Sequence, residues 1–346
     1  MTTYLDLLKA KTVDKALDRL NQYWVEDRQL DYFNAATIDE ALALLDRHEG
    51  ARVIAGGVDV VRLLRNRLIA PTALVNIQAI PGLATITEDA VGLKIGTLAT
   101  LSDIADSPVI KGKYPLLAEA ARSAASPAVR NMATIGGNLC QQVNCWYFRM
   151  PAITGKTFFC HRKGGPTCFA VDGDNRYHAI FASGKCHAVC QSDLAPALVA
   201  LDAKIKIAST DGQRVISVEE LYTPIGNTLK ANELITGIEI PLPAPETKQS
   251  FLKFRIRKAI DPAIVSVAAA VTVHDGLITD ARIALGGVAP TPYRSLAAED
   301  ALKGSMLTAE SAQAAAAATV RQAAPLSMND YKLAIARALV KRAIIG

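Results

Sequence analysis

Cysteine is missing from most of this chain. All six cysteines fall between Cys140 and Cys190, and no other part of the 346 residues carries one. Secreted disulfide scaffolds are small and have cysteine throughout, so that class is excluded. Long apolar runs are also missing, none approaching the roughly 18–20 residues that cross a bilayer. The opening MTTYLDLLKAKTVDKALDRL mixes acids and bases without an apolar core. No secretory signal is read there, and a cytoplasmic location is expected, although a chain without a signal can be exported folded with a signal-bearing partner. No long Lys/Arg run accompanies the net charge of +5, from 38 basic and 33 acidic residues, which argues against nucleic acid as a partner. What remains is ordinary globular composition, 50% apolar and 21% charged, long enough for two or three compact units.

Apolar spacing predicts a helical extension over residues 4–30. Thr37 and Glu40 form a Thr-x-x-Glu capping box opening a helix through Leu45. "ARVIAGG" reads as a strand ending in a Gly pair, "VDVVRLLRNRL" as a helix stopped by Pro71, and "ALVNI" and "GLKIGTLAT" as strands. An Ala-rich helix follows at 115–125, and "SDLAPALVALDAKIKIAS" reads as helix then strand. The Pro-rich 240–247 reads as a linker. Strands "FLKFRIR", "AIVSVAAAVTVHDG" and "ARIALGGV" then precede helices at about 295–303, 308–323 and 328–344. The expected fold class is α+β with at least two domains.

Two glycine loops look alike, "AGGVD" at 55–59 and "TIGGN" at 134–138, each read as paired glycines after an apolar strand residue. Glycine admits positive φ and lets a ligand approach the main chain closely. Successive amides in such a turn can form a nest for phosphate. Neither loop is G-x-G-x-x-G or a P-loop, and a simple turn accounts for either one alone.

Cys140, Cys145, Cys160, Cys168, Cys186 and Cys190 admit three readings. Zinc favours close pairs, and only Cys140/Cys145 and Cys186/Cys190 approach that spacing. Iron–sulfur clusters tolerate wide, irregular spacing. Buried free thiols are the third reading. Between 145 and 190, six cations (Arg149, Lys156, Arg162, Lys163, Arg176, Lys185) face two acids (Asp172, Asp174), which suits a thiolate-bound metal without choosing one. Eight of the chain's 19 aromatics lie here, so the segment packs rather than dangles. His161, His178 and His187 are not taken as ligands.

"ARVIAGGVDVV", "IGTLATLSDIADS", "SPAVRNMATIGGNL", "SDLAPALVALDA" and "DPAIVSVAAAVTV…ARIALGGVAPTPYR" stand in the order found in FAD-binding medium subunits of the xanthine dehydrogenase (molybdenum hydroxylase) family, which the chain resembles over about 31–346. Beyond the helical extension read at 1–30, the resemblance implies a two-lobed FAD-binding domain of the p-cresol methylhydroxylase type at 31–240 and a small C-terminal α+β domain at 248–346. It implies that Ala55, Gly56, Gly57, Val58, Asp59 and Val60 cradle the FAD pyrophosphate. Thr134, Ile135, Gly136, Gly137 and Asn138 then hold its other side, Asp193 meets the ribityl or flavin edge, and Lys253 lies near the cofactor. Val58 departs from the family's usual threonine and removes a hydroxyl that could bond a phosphate oxygen. The segment at about 141–190 resembles the [4Fe-4S] inserts of flavin subunits in 4-hydroxybenzoyl-CoA reductases and periplasmic aldehyde oxidoreductases. That likeness assigns Cys145, Cys160, Cys168 and Cys186 as ligands, with Cys140 and Cys190 as spares.

By the same resemblance the chain is an electron-transfer oxidoreductase subunit. It works with a large molybdopterin-binding subunit and a small subunit holding two [2Fe-2S] centres, an arrangement compatible with a dimer of heterotrimers. No catalytic acid, base or nucleophile is expected. A standalone FAD reductase of the same fold and a zinc-stabilised interaction module are the alternatives.

Overall fold

The computed structural model describes residues 30–150, 158–181, 184–257 and 260–346. The helix expected at 4–30 lies outside the described residues.

The first lobe is a parallel sheet of three short strands, β1 (Asp31–Asn34), β2 (Arg52–Ile54) and β3 (Ala73–Asn76), ordered β1-β3-β2. Helix α1 (Ile38–Arg47) buries Ala41, Leu42 and Leu45 against it. Thr37 caps α1 by accepting from the Glu40 amide, but the Glu40 carboxylate accepts from Ala36 rather than Thr37, one residue early for a reciprocal box. Helix α2 (Val60–Arg65) ends well before Pro71. The chain turns at Arg67, whose φ is 53°, so backbone geometry and not proline stops it.

The second lobe is an antiparallel sheet ordered β4-β5-β10-β6-β7. Its strands are β4 (Ile86–Glu88), β5 (Gly92–Gly96), β6 (Lys204–Ser209), β7 (Gly212–Ser217) and, after a hairpin of β8 (Tyr222–Thr223) and β9 (Gly226–Asn227), β10 (Leu234–Pro241). β10 fills the centre, so the sheet closes only when the chain returns after the cysteine segment. Helices α3 (Leu101–Asp106), α4 (Pro108–Lys113), α5 (Pro115–Ser123) and α6 (Pro127–Arg130) follow β5, the last three opening with proline, whose missing N–H is no loss in a first turn.

"TIGGN" does not follow a strand as the sequence suggested. Thr134 is the N-cap of helix α7 (Ile135–Cys140), accepting from the Gly137 amide, and both glycines are helical. A Cβ on Gly136 would stand 1.9 Å from Thr97 Oγ1. That close approach explains glycine where helix propensity disfavours it.

Within the cysteine segment lie α8 (Trp146–Arg149) and a short 3₁₀ turn, His161–Lys163. Helix α9 (Leu194–Ala200) follows, and all seven of its residues are buried. It packs against α5 and α7 on one side and against β12 (Val265–His274) and β13 (Leu277–Gly286) on the other, tying the two domains together. Helix α10 (Val218–Leu221) carries a reciprocal capping box with Ser217 and Glu220.

The expected linker shrinks to 242–246, because β10 runs through Pro241 and β11 spans Thr247–Phe254, earlier than "FLKFRIR". The C-terminal domain is an antiparallel sheet ordered β11-β12-β13-β14, with β14 at Tyr293–Arg294. Helices α11 (Leu296–Leu302), α12 (Ala309–Thr319) and α13 (Tyr331–Ile345) supply the helical side of its core. No described helix is long and apolar enough to cross a membrane.

Candidate functional site: a flavin cleft and a thiol pocket

The two glycine motifs meet in space. A Cβ on Gly56 would stand 1.7 Å from the Met132 carbonyl oxygen, so only glycine lets the first loop lie against the strand of backbone leading into Thr134. Gly57 has φ 71°, the left-handed region that favours glycine. Between the motifs opens a cavity of about 750 Å³, within the range of about 300–1,000 Å³ typical of cofactor clefts.

All six residues from Ala55 to Val60 line this cavity. No described residue accepts a hydrogen bond from the amides of Gly56, Gly57, Val58 or Asp59. Four unpaired backbone donors in one turn are what an anionic group needs. From the second motif, Thr134, Gly137 and Asn138 line the cavity, while Ile135 and Gly136 are buried beneath it. The Ile135 and Gly136 amides donate to Ala99 O and Thr97 O, so they are not free for a ligand. The second motif therefore shapes the wall and the first offers the donors.

Four carboxylates line the cleft, and each has a cation. Asp59 Oδ1 is 2.7 Å from Arg149 Nη2, Asp193 Oδ2 is 2.6 Å from Lys253 Nζ, Glu233 Oε2 is 2.7 Å from Arg214 Nη2, and Asp261 Oδ1 pairs with Arg257. Neutralised this way, the walls do not repel a diphosphate. Asp59 turns away from a phosphate role, its second oxygen accepting from the Gln142 amide at 2.7 Å. Asp193 is buried, and burial raises its carboxyl while Lys253 and Arg255 pull it back down. Lys253 is held behind Asp193, also donating to Ser123 O, so it meets the cleft only through the carboxylate.

A second, small cavity is lined by Cys145, Cys160, Cys168 and Cys186 together. Leu63 of α2, Val143, Phe148 and Ala188 pack around them, and Phe158 makes edge contacts with Tyr147 and Phe169, ring centroids 5.0 Å apart in each pair. Cys140 and Cys190 stand elsewhere, lining a third cavity with Tyr222, and Cys140 also reaches the cleft. Burial pushes the thiols of Cys140 and Cys145 up to about 12 and that of Cys190 to about 11, so these sulfurs ionise only beside a cation. Among the described residues, no three His, Cys, Asp or Glu side chains are grouped tightly enough to hold a single metal ion.

Sequence reasoning missed the donors around these sulfurs. His178 Nε2 is 3.3 Å from Cys145 Sγ, and Arg162 Nε is 3.3 Å from Cys186 Sγ. Burial, then the charge of Lys332, lower His178 to about 4, so the ring is neutral. Lys332 itself is fully buried and donates to Tyr177 O, His178 O and Gly287 O. Asn329 donates to His178 O and Ala179 O, and Met328 N to Asn175 Oδ1. The C-terminal domain thus clamps the cysteine segment. None of these contacts is visible in spacing, since those between Met328, Asn329 or Lys332 and the cysteine segment join residues about 150 apart.

Residues 28–243 match the FAD binding domain in molybdopterin dehydrogenase, and residues 250–345 match the CO dehydrogenase flavoprotein C-terminal domain. The chain belongs to the FAD-binding medium subunits of the xanthine dehydrogenase and carbon monoxide dehydrogenase family. It is 34% identical over 316 residues to the aldehyde oxidoreductase FAD-binding subunit PaoB of Escherichia coli (strain K12), covering 88% of this chain and 94% of that one. It is 29% identical to the carbon monoxide dehydrogenase medium chain of Hydrogenophaga pseudoflava, over 91% of this chain and 96% of the relative. A solved carbon monoxide dehydrogenase structure from the same organism superposes with a TM-score of 0.74 at 28% identity, covering 91% of this chain and 96% of that one. Quinoline 2-oxidoreductase from Pseudomonas putida 86 superposes at 0.72 with 26% identity, covering 92% and 96%. As a family member the chain is an FAD-binding oxidoreductase subunit of the molybdenum hydroxylase type, with the two-lobed flavin domain and C-terminal domain expected of it. That membership removes the non-enzymatic, zinc-stabilised module.

Proposed function

We propose that this chain is the electron-transfer flavoprotein subunit of a molybdenum-containing hydroxylase, dehydrogenase or reductase complex, binding FAD in the cleft and a [4Fe-4S] cluster in the thiol pocket. When bound, FAD supplies exchange of one or two electrons and the cluster exchange of one.

The cleft fits FAD on three counts: its volume, the unpaired amides of residues 56–59, and the neutralisation of every lining carboxylate. Gly56, Gly57, Val58 and Asp59 would hold the pyrophosphate by their backbones, so the hydroxyl missing at Val58 costs little. Thr134, Gly137 and Asn138 would form the opposite wall, with Asp193, oriented by Lys253, on the flavin side. Ile135 and Gly136 act from beneath, by letting the wall lie close.

One observation carries the cluster: Cys145, Cys160, Cys168 and Cys186, scattered over 42 positions counting both ends, line a single cavity, and the two other cysteines do not. A cubane is bound through four irons, so its thiolates stand further apart than the ligands of one ion. The resemblance of the segment to [4Fe-4S] inserts favours the cluster over zinc. Arg162 and Lys185 also line the pocket, and Lys163 is beside it. Among the described residues none of the three pairs with a carboxylate within ion-pair distance, so their charge is available to offset a negative cluster. The space between the thiols is about 10 Å³, smaller than a cubane, so the pocket would have to widen to admit one.

On this reading the organic substrate reacts on a large molybdopterin-binding partner, and a small partner with two [2Fe-2S] centres connects it to this chain in a soluble, cytoplasmic complex. The domain limits proposed are 31–240 with an insert at 141–190, then 248–346. Purified alone, the chain should be yellow-brown, reducible by dithionite and inactive on organic substrates. A colourless protein that binds no FAD on titration would overturn the reading.

A further inference from the structure

Arg162 is a cation without an anion. The ion-paired arginines of this chain, such as Arg149, Arg214, Arg257 and Arg294, each meet a carboxylate. Arg162 instead donates to Pro224 O at 3.1 Å, Ile225 O at 3.2 Å and, at a long 3.5 Å, Gln142 Oε1, while its Nε lies 3.3 Å from Cys186 Sγ. Among the described residues no carboxylate lies within ion-pair distance of it. The carbonyls fix the guanidinium on the β8–β9 turn of the flavin domain and leave its charge uncompensated. The one acceptor that can carry a full negative charge is the Cys186 sulfur, as a thiolate.

We propose that Arg162 sets the reduction potential of the cluster. The proposal rests on the [4Fe-4S] reading. A donor hydrogen-bonded to a ligating sulfur stabilises the more negative, reduced state and raises the potential. A charged donor does so more than a neutral one. His178, neutral and the same distance from Cys145, is the weaker counterpart. Arg162 is a positioning residue and not a ligand, and its charge is unchanged when one electron is added, so no proton need accompany that electron. Gln142, whose side chain meets Arg162, also donates its backbone N–H to Asp59 of the first glycine loop.

The test is an EPR-monitored redox titration, with dithionite and mediators, of the protein as purified with its partner subunits. Arg162→Gln should keep the iron, sulfide and FAD content of the unaltered protein. Its cluster should be about tenfold harder to reduce, a downward shift of about 59 mV for a one-electron couple, with the FAD potential unmoved. Arg162→Lys, which keeps the charge but loses the fork of donors, should shift the same way by less. If Arg162→Gln fails to assemble the cluster, the lysine variant decides. A cluster midpoint unmoved in the assembled variant overturns the proposal. Unaltered protein that lacks iron and sulfide sinks the cluster reading instead, so the two failures are distinguishable.

Discussion

Arg149 Nη2 donates to Asp59 Oδ1 at 2.7 Å, joining the first glycine loop to the start of the cysteine segment across 90 positions. Arg149 also donates through Nε to Val143 O and through Nη2 to Gln142 O, so one guanidinium sets the loop, the segment and their spacing together. The arginine is buried and the aspartate is mostly so. Removing one partner of a buried pair strands the other charge and costs about 3–5 kcal/mol. Because Asp59 keeps some solvent, Arg149→Ala should fall near the lower end of that range in urea unfolding, and FAD should be lost on dialysis. Unchanged stability with retained flavin would show the pair to be ornamental.

Gly56 offers a steric test. A Cβ at that position meets the Met132 carbonyl, which is backbone and cannot swing away. Gly56→Ala should weaken FAD binding at least about tenfold, or about 1.4 kcal/mol, in a fluorescence titration of flavin-stripped protein. Gly112 in α4 meets nothing within 4 Å, so Gly112→Ala should leave FAD binding alone and stabilise by about 0.5–1 kcal/mol.

Lys332 makes stability depend on pH. Burial lowers its ammonium to about 7 from an ordinary 10.5. Between pH 7 and 10.5 the unfolded chain holds a proton there that the folded chain has released, so stability rises with pH across that window and is flat below it. Urea midpoints at pH 7, 8 and 9 should rise more in the unaltered protein than in Lys332→Met, whose absolute stability falls because three carbonyls lose their donor. Parallel slopes would contradict the assignment.

The sequence carried the βαβ start, α1, α5, α9 and the C-terminal strands and helices, because their periodicity and breakers are local. Likeness to a family singled out four cysteines of six, and those four line one cavity. Sequence reading misplaced Gly136 and Gly137 in a loop, because propensity speaks against glycine in a helix and cannot see Thr97 pressing on the chain. Of the short helices over 101–130 only α5 was read, although Thr100, Ser107 and Ser126 cap the other three and proline opens those at 108, 115 and 127. The individual contacts of Arg149, Arg162, His178 and Lys332 had no local signal. Their roles come from partners far along the chain, which only the closed fold brings within reach.

Substitution of the cysteines separates ligands from spares. Cys145→Ser, Cys160→Ser, Cys168→Ser and Cys186→Ser should each abolish or sharply reduce iron while leaving FAD bound. Cys140→Ser and Cys190→Ser, whose sulfurs face the third cavity, should keep full iron content. Iron loss in either of the last two would reassign the ligand set.

The central claim is that a flavin cleft and an iron–sulfur pocket share one chain. Anaerobic purification followed by FAD, iron and acid-labile sulfide analysis on the same sample tests it most directly. The account predicts one FAD with about four iron and four sulfide per chain, and an EPR signal that appears on reduction. Stoichiometric zinc, or FAD without iron, sulfide or any reduced-state signal, would contradict it.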